Sequence, residues 1–353
     1  TMTTMFMAWL NMQLAGLHVG LICVIIVCIA LLLFAIPVVP GVPAYLACGV
    51  IIGAAEKQLG SFTLTMLLAW LVASLSKLLA CLMQQKIFGE FLGKSLWVRS
   101  TLGVNEPLMK AINLILQEPG LTRAKVAILV GGPDWPTSVL TGVLKLKAYQ
   151  MQLGVLPVLI PIAFIVMTGG SMLKMGEQPD SLWVPLSAVF MTIAAALQVV
   201  IVLLAVKYTN QVAKERIAEI EAMTNDVEVE QFDASQKQAI EETQAVMKWG
   251  EQNTLWRLIL SASAVSITIS GWVFKILPCF ESVVLTTNIN DPPLNGKFLN
   301  VFKFYGWIGL AFQVLAWVLY CIFTLHVQMK VKSNQKLNLS YRAETAAPTL
   351  PAV

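Results

Sequence analysis

Pro37-Val-Val-Pro40-Gly41-Val-Pro43 falls between two apolar runs, residues 17–36 and 44–55. Three prolines in so short a stretch cannot continue a helix, because each lacks an N–H and clashes with the preceding turn. The run before them has spanning length, since about 20 residues at about 1.5 Å each cross a hydrocarbon core of about 30 Å. The run after them is apolar but too short to cross. A short, proline-led apolar segment is the pattern of a re-entrant helix. Such a helix survives at membrane depth only where protein covers it or a wet cavity borders it. The theme recurs: residues 126–144 are apolar but interrupted by Gly131-Gly132-Pro133-Asp134-Trp135-Pro136. Pro133, Pro136 and Gly142 repeat the spacing of Pro40, Pro43 and Gly49, and Gly53 closes the first segment. Paired broken segments point to a repeat-built transport site.

Composition agrees with a lipid environment. Of the 353 residues, 57% are hydrophobic and 12% charged, with a mean hydropathy of +0.73. A soluble domain carries about 25% charged residues, so this chain is too poor in charge to cover a soluble surface. The net charge of +4 is modest. With no basic, aromatic-interleaved patch, it excludes nucleic acid as a partner. Cys23, Cys28, Cys48, Cys81, Cys279 and Cys321 form no CxxC pair and no metal-ligand spacing with a histidine. They read as apolar packing residues, and no metal or cofactor is expected. Residues 1–14 carry no charge, and the basic region and cleavage site of a secretory signal are not seen, so the first apolar run is expected to be a permanent helix.

Further spanning runs are 61–82, 154–171, 183–206, 255–277 and 304–327. The expected fold is an all-α integral membrane protein of about six transmembrane helices, with two antiparallel re-entrant segments in an inverted-repeat-like core and a helical extramembrane hairpin. Residues 1–172 form the core, with re-entrant segments at 37–60 and 122–148. Residues 173–207 add a span. Residues 208–253 form the hairpin, with its turn near 225–233 and Asp233 or Ser235 capping the second helix. Residues 254–329 hold two more spans around a far-side loop at 278–303, and 330–353 is a disordered tail. Residues 86–118 turn amphipathic, as suits helices lying on a membrane surface. Most of the 24 Lys and Arg residues fall at 86–149, 207–257 and the tail. The positive-inside rule therefore puts the hairpin and both termini in the cytosol.

Residues 36–53, the glycine turn Phe88-Gly-Glu-Phe-Leu-Gly93, and Gly132-Pro-Asp-Trp-Pro-Thr-Ser-Val-Leu-Thr-Gly142 together resemble the VTT/DedA superfamily, also called SNARE-associated Golgi proteins. The resemblance covers about residues 15–172 and matches all three elements in order. It implies lipid movement: eukaryotic members are phospholipid scramblases of the endoplasmic reticulum that act with lipid-transfer proteins, and bacterial members are implicated in carrying polyprenyl-phosphate lipids with proton coupling. It also implies an endomembrane location. The chain departs from the pattern where an acid commonly follows the first Pro-Gly (here Val42), where an Arg precedes the second Pro (here Val130, Gly131 and Gly132), and where an Asn follows the second break (here Thr137).

Asp134, Lys77, Thr137, Thr141 and Glu56 are the candidate pathway residues. A charge at membrane depth costs at least about 2.5–3.5 kcal/mol, so it lines a cavity or has a partner. Asp134 could equally cap the helix that follows it, and Lys77 could pair with Asp134 or Glu56. Arg123, Lys125, Lys145 and Lys147 are candidate contacts for anionic headgroups or plain topology anchors. No enzyme motif is present. The expected activity is passive lipid translocation, with membrane lipids as partners. Two alternatives stay open. One is a non-catalytic scaffold subunit of a larger membrane complex, with a partner on the 208–253 hairpin; a lone homo-oligomer would argue against it, and is itself left open. The other is a proton- or ion-coupled transporter.

Overall fold

The computed structural model describes residues 2–14, 16–36, 40–132, 134–178, 182–283 and 288–345, with side chains at all of these except 2, 3, 134, 177 and 336–345. Pro37 and Pro133 lie outside the described residues. The chain divides into two compact units, 1–232 with 283–289, and 233–282 with 290–353. Among the described residues there is no strand, only an isolated bridge between Phe280 and Phe302.

The helices of the first unit, in order, are α1 (Met2–Leu14), α2 (Val19–Phe34), α3 (Val42–Gly53), α4 (Glu56–Leu59), α5 (Phe62–Met83), α6 (Leu96–Leu102), α7 (Pro107–Gln117), α8 (Arg123–Gly131), α9 (Asp134–Val143), α10 (Ala148–Val155), α11 (Leu159–Glu177), α12 (Trp183–Glu215) and α13 (Ile217–Ala222). Then α14 (Val227–Met247) carries the boundary between the units, and α15 (Thr254–Ile276) and α16 (Phe304–Thr345) belong to the second. Among the described residues, five helices are long and apolar enough to cross a membrane: Phe62–Lys94, Ala148–Gly176, Trp183–Glu215, Thr254–Ile276 and Phe304–Gln335. At 16 residues, α2 is shorter than these. Its first turn is fixed from two sides. The His18 ring accepts from Gly20 N at 3.1 Å, and the Gln58 carboxamide accepts from Val19 N at 2.9 Å while donating to Leu17 O at 2.8 Å.

The prolines and glycines act where the sequence puts them. Pro43 sits in the first turn of α3, where a missing N–H costs nothing. The second break separates α8 from α9 at Gly132, whose backbone is extended. Gly49 and Gly142, the matching glycines of the two segments, do the same job. A Cβ on Gly49 would fall inside 3.0 Å of the Val166 carbonyl oxygen, and one on Gly169 inside 3.0 Å of Leu46 O, so α3 and α11 pack backbone to backbone. A Cβ on Gly142 would meet Gln85 O, and one on Gly89 would meet Val139 O. Thus α9 packs the same way on the chain that continues α5.

That continuation, Gln84–Phe91, is π-helical. The wider turn of a π-segment often marks a functional place in a helix. Here it brings two consecutive amides inward. Gln84 donates to Phe34 O at the end of α2 (2.9 Å), and Gln85 donates to Leu146 O just after α9 (2.8 Å). Residues 84–94 therefore prolong the spanning helix, where the sequence suggested a surface helix. Further on, α7 is two-sided, burying Ile112 and Ile115 and exposing Leu108 and Gln117.

In the second unit, α15 and α16 pair through small residues. Ser263 donates to Ala316 O at 2.8 Å, and Ser270 donates to Gly309 O at 2.8 Å. Small and hydroxyl residues are what apolar surroundings favour between helices, since they allow close approach and satisfy polar atoms across the seam. The ends of the 278–303 loop are tied by Lys303 N to Cys279 O at 2.9 Å and Glu281 N to Val301 O at 2.8 Å. The helix α16 runs to Thr345 rather than ending at Lys330.

The glycine crossings give a direct expectation. Gly142→Val should destabilise the protein by about 1–3 kcal/mol or abolish folding, as overpacking does. Gly16→Ala, with open space at its Cβ position, should leave stability unchanged. Thermal unfolding of the detergent-purified protein, followed by fluorescence, measures both.

Candidate functional site

The two breaks open into one cavity of about 860 Å³, bordered by Pro40 and Gly41 on one side and Gly131, Gly132, Trp135 and Pro136 on the other. The end of α2, the body of α11 and the middle of α12 complete its walls. Most of the lining is apolar. The polar exceptions include Lys77, Gln84, Gln198, Thr209 and Asn210. Lys77 is 5% exposed on α5, and Gln84 is 3% exposed. Gln84 is oriented by its bond to Phe34 O, which leaves its carboxamide oxygen buried with no hydrogen-bond partner. A buried acceptor without a donor costs about 1–3 kcal/mol, and Gln84 borders the cavity, whose contents can supply that donor.

The residues expected to form a polar path are distributed unevenly. Lys77 is in the cavity wall. Asp134 opens α9 beside Trp135, and its side chain lies outside the described residues. Thr137 is buried next to Gly132, and its hydroxyl has no partner among the described residues. Thr141 is fully buried and faces away, donating to Ser138 O at 2.6 Å with Met151 Sδ at 3.0 Å. Glu56 is also remote. It pairs with Lys174 at 2.6 Å, tying the turn after α3 to the end of α11, so it is not the partner of Lys77. Gly53 packs on Met66 and Leu173, and Pro43 is exposed at the start of α3.

The basic cluster also divides. Arg123, Lys145 and Lys147 are exposed. Lys125 is 2% exposed and donates to Glu118 O, so it closes the turn before α8 rather than offering its ammonium to a headgroup. Lys145 takes a left-handed backbone, φ 54°, and its N–H and that of Leu146 return to Gly142 O and Thr141 O at 2.9 Å. This is the glycine-type stop of a helix, made here by lysine.

The helical connector at 225–233 is not a free turn. Asp226, not Asp233 or Ser235, caps α14, accepting from Val229 N at 3.3 Å. The acids Glu228 and Glu230, which look like loop in the sequence, lie in the first helical turn, where the helix dipole favours them. Arg99 pairs with Asp226, and with Glu228 at 2.7 Å. Glu228 first, then Asp226, raises the guanidinium above its ordinary value against the opposing effect of burial. Asn105 exchanges two hydrogen bonds with the Asp226 backbone at 2.8 and 3.0 Å, and Lys110 donates to Asn225 Oδ1 at 2.7 Å. The turn of the 208–253 hairpin is thus docked on the chain's own α6–α7 region.

Sequence reasoning missed Gln84, Gln85, Gln198 and Arg99. The amides carried a usable signal, since each is polar at the end or in the middle of a long apolar run. The comparisons do not add a family: no family model, no curated protein and no solved structure matches the chain.

Replacing Asp226 by Ala removes a cap and an ion pair together. It should cost about 1–3 kcal/mol and speed proteolysis between residues 216 and 232. Glu228→Ala, at a site whose carboxylate is 71% exposed, should have little effect. Limited proteinase K digestion, which does not depend on Lys or Arg sites, followed by mass spectrometry separates the two.

Proposed function

We propose that the protein moves phospholipids passively between membrane leaflets, through the cavity between the two broken segments. The observation that carries this reading is that cavity: both breaks border it, its walls are mostly apolar, and Lys77 and Gln84 stand in it. Lipid tails suit such walls, and a headgroup needs polar stations on its way across.

In this reading α2 is the first of six crossings, and the segments around α3 and around α8–α9 are re-entrant. At 12, 9 and 10 residues, α3, α8 and α9 are each half-crossings. The two segments enter from opposite faces, as in an inverted repeat. Both termini face the cytosol, and the membrane is of the endoplasmic reticulum or Golgi type. The chain is then a member of the VTT/DedA superfamily in residues 15–172, extended by α12, α15 and α16. Val42, where the family pattern has an acid, is consistent with movement down a gradient instead of proton-driven transport.

The test is reconstitution into vesicles holding lipids with fluorescent headgroups, followed by a membrane-impermeant quencher. Empty vesicles lose only the outer-leaflet signal. Vesicles with the protein should lose nearly all of it, and Lys77→Met should slow the extra loss by about tenfold, equivalent to roughly 1.4 kcal/mol in barrier. Loss equal to that of empty vesicles would overturn the reading.

A further inference from the structure

Between Thr192 and Lys207, α12 has a single polar side chain, Gln198. At 1.5 Å per residue it lies roughly 22 Å from Trp183 and roughly 13 Å from Lys207, deep within the apolar span. Its side chain is exposed and makes no hydrogen bond to the described residues. An amide left without partners in hydrocarbon is costly. A polar group kept at such depth marks a pathway or a binding place.

Its position says which. Gln198 borders the central cavity and also a second, outer groove of about 460 Å³ formed by α3, α11 and α12. Val42, Ile165 and Val202 are shared between the two in the same way. Apart from Gln198 the outer groove is wholly apolar, and Ala194 and Ala195 make it concave. Val42 is the first residue of α3 after the break, and it is 42% exposed. The groove is therefore continuous with the cavity and meets it where the first broken segment begins.

We propose that this groove is a lateral portal for a two-tailed phospholipid. It rests on the translocation reading given above. The acyl tails lie against Val42, Val199 and Leu203, and the headgroup turns past Gln198 into the cavity toward Lys77 and Gln84. A carboxamide supplies two N–H donors for phosphate oxygens and one acceptor for a hydroxyl or ammonium. Being uncharged, it serves zwitterionic and anionic headgroups alike. The portal should thus show weak headgroup preference. The wall that carries Gln198 comes from α12, outside the residues that resemble the lipid-moving family, while Val42 and Ile165 lie within them.

The experiment uses the full chain in phosphatidylcholine vesicles doped with a phosphatidylcholine whose headgroup carries a photoreactive diazirine. In an undisturbed bilayer such a headgroup stays near the ends of a spanning helix. Illumination followed by peptide mapping should place label on α12 around residues 195–202 as well as at its ends. In the quencher assay, Gln198→Leu should slow headgroup passage by about tenfold, and Gln198→Asn should retain most of it. Gln198→Leu is compatible with lipid and is checked for folding by its melting transition; Gln198→Asn covers the case where it fails. Label confined to the helix ends, or an unchanged rate in Gln198→Leu, overturns the portal. So does a cross-linked dimer through α12, since a second copy would then cover the groove. If the wild type moves no lipid but residues 195–202 are labelled, the translocation reading fails and the groove stands as a lipid-binding site. If neither occurs, both fall.

Discussion

Backbone packed directly on backbone at glycine holds both short helices where they are. Gly49 and Gly169 let α3 cross α11, and Gly142 and Gly89 let α9 cross the π-helical end of α5. Close approach of this kind gains dispersion and weak Cα–H···O contacts that side chains would prevent. The arrangement is reciprocal: each short segment rests on a long helix that follows the other break. With the segments pinned at these two points, their broken ends face a common space. The cavity is a consequence of where the glycines are, since any side chain at the crossings would push the segments apart and change its shape.

Breaking a helix in apolar surroundings leaves backbone groups that water cannot reach, and the chain answers with amides and hydroxyls. Gln84 takes the Phe34 carbonyl before the first break, and Gln85 takes the Leu146 carbonyl after α9. Thr122 caps α8, accepting from Lys125 N at 3.2 Å. Each bond is worth only about 0.5–1.5 kcal/mol net, but the same buried carbonyl left unpaired would cost more. Among the described residues, satisfaction is incomplete at the cavity, where Trp135 Nε1 and Gln84 Oε1 have no partner, and beside it, where Thr137 Oγ1 has none. A core selected for stability alone would have apolar groups there. Orphaned polar atoms bordering a space of this size fit a site through which polar groups pass.

Much of this fold was legible from the sequence. The helical membrane class follows from apolar run length and charge poverty, and both breaks are where proline and glycine place them. The repeated Pro, Pro, Gly spacing marked the two segments as a pair, and the structure adds that Gly49 and Gly142 are both points of close backbone approach. Less legible were features set by tertiary contact. Lys125 reads as a surface base but is turned inward by the Glu118 carbonyl. Glu56 reads as a partner for Lys77 but is taken by Lys174. Asp233 and Ser235 look like caps, yet Asp226 wins because Arg99 and Asn105 hold it in position. For Glu56 and Asp226 the deciding partners came from far along the chain, and for Lys125 from the turn seven residues before it. The π-segment has no composition signal at all, and only the adjacent amides Gln84 and Gln85 hinted that the helix end faces inward.

The central claim is that the two broken helices frame an accessible, mostly apolar space with a few polar stations, Lys77 and Gln84 among them. Cysteine reactivity tests it most directly. In a chain with its six native cysteines replaced, single cysteines are placed at Val130 and Ile36, which border the cavity, and at Leu71, which lies on the outer face of α5. A charged, membrane-impermeant thiol reagent is applied from both sides of reconstituted vesicles. The account predicts modification at positions 130 and 36 and none at 71, because a thiol reacts as thiolate and needs water to ionise. Three equally unreactive positions would mean that the space between the breaks is closed and dry, and would contradict it.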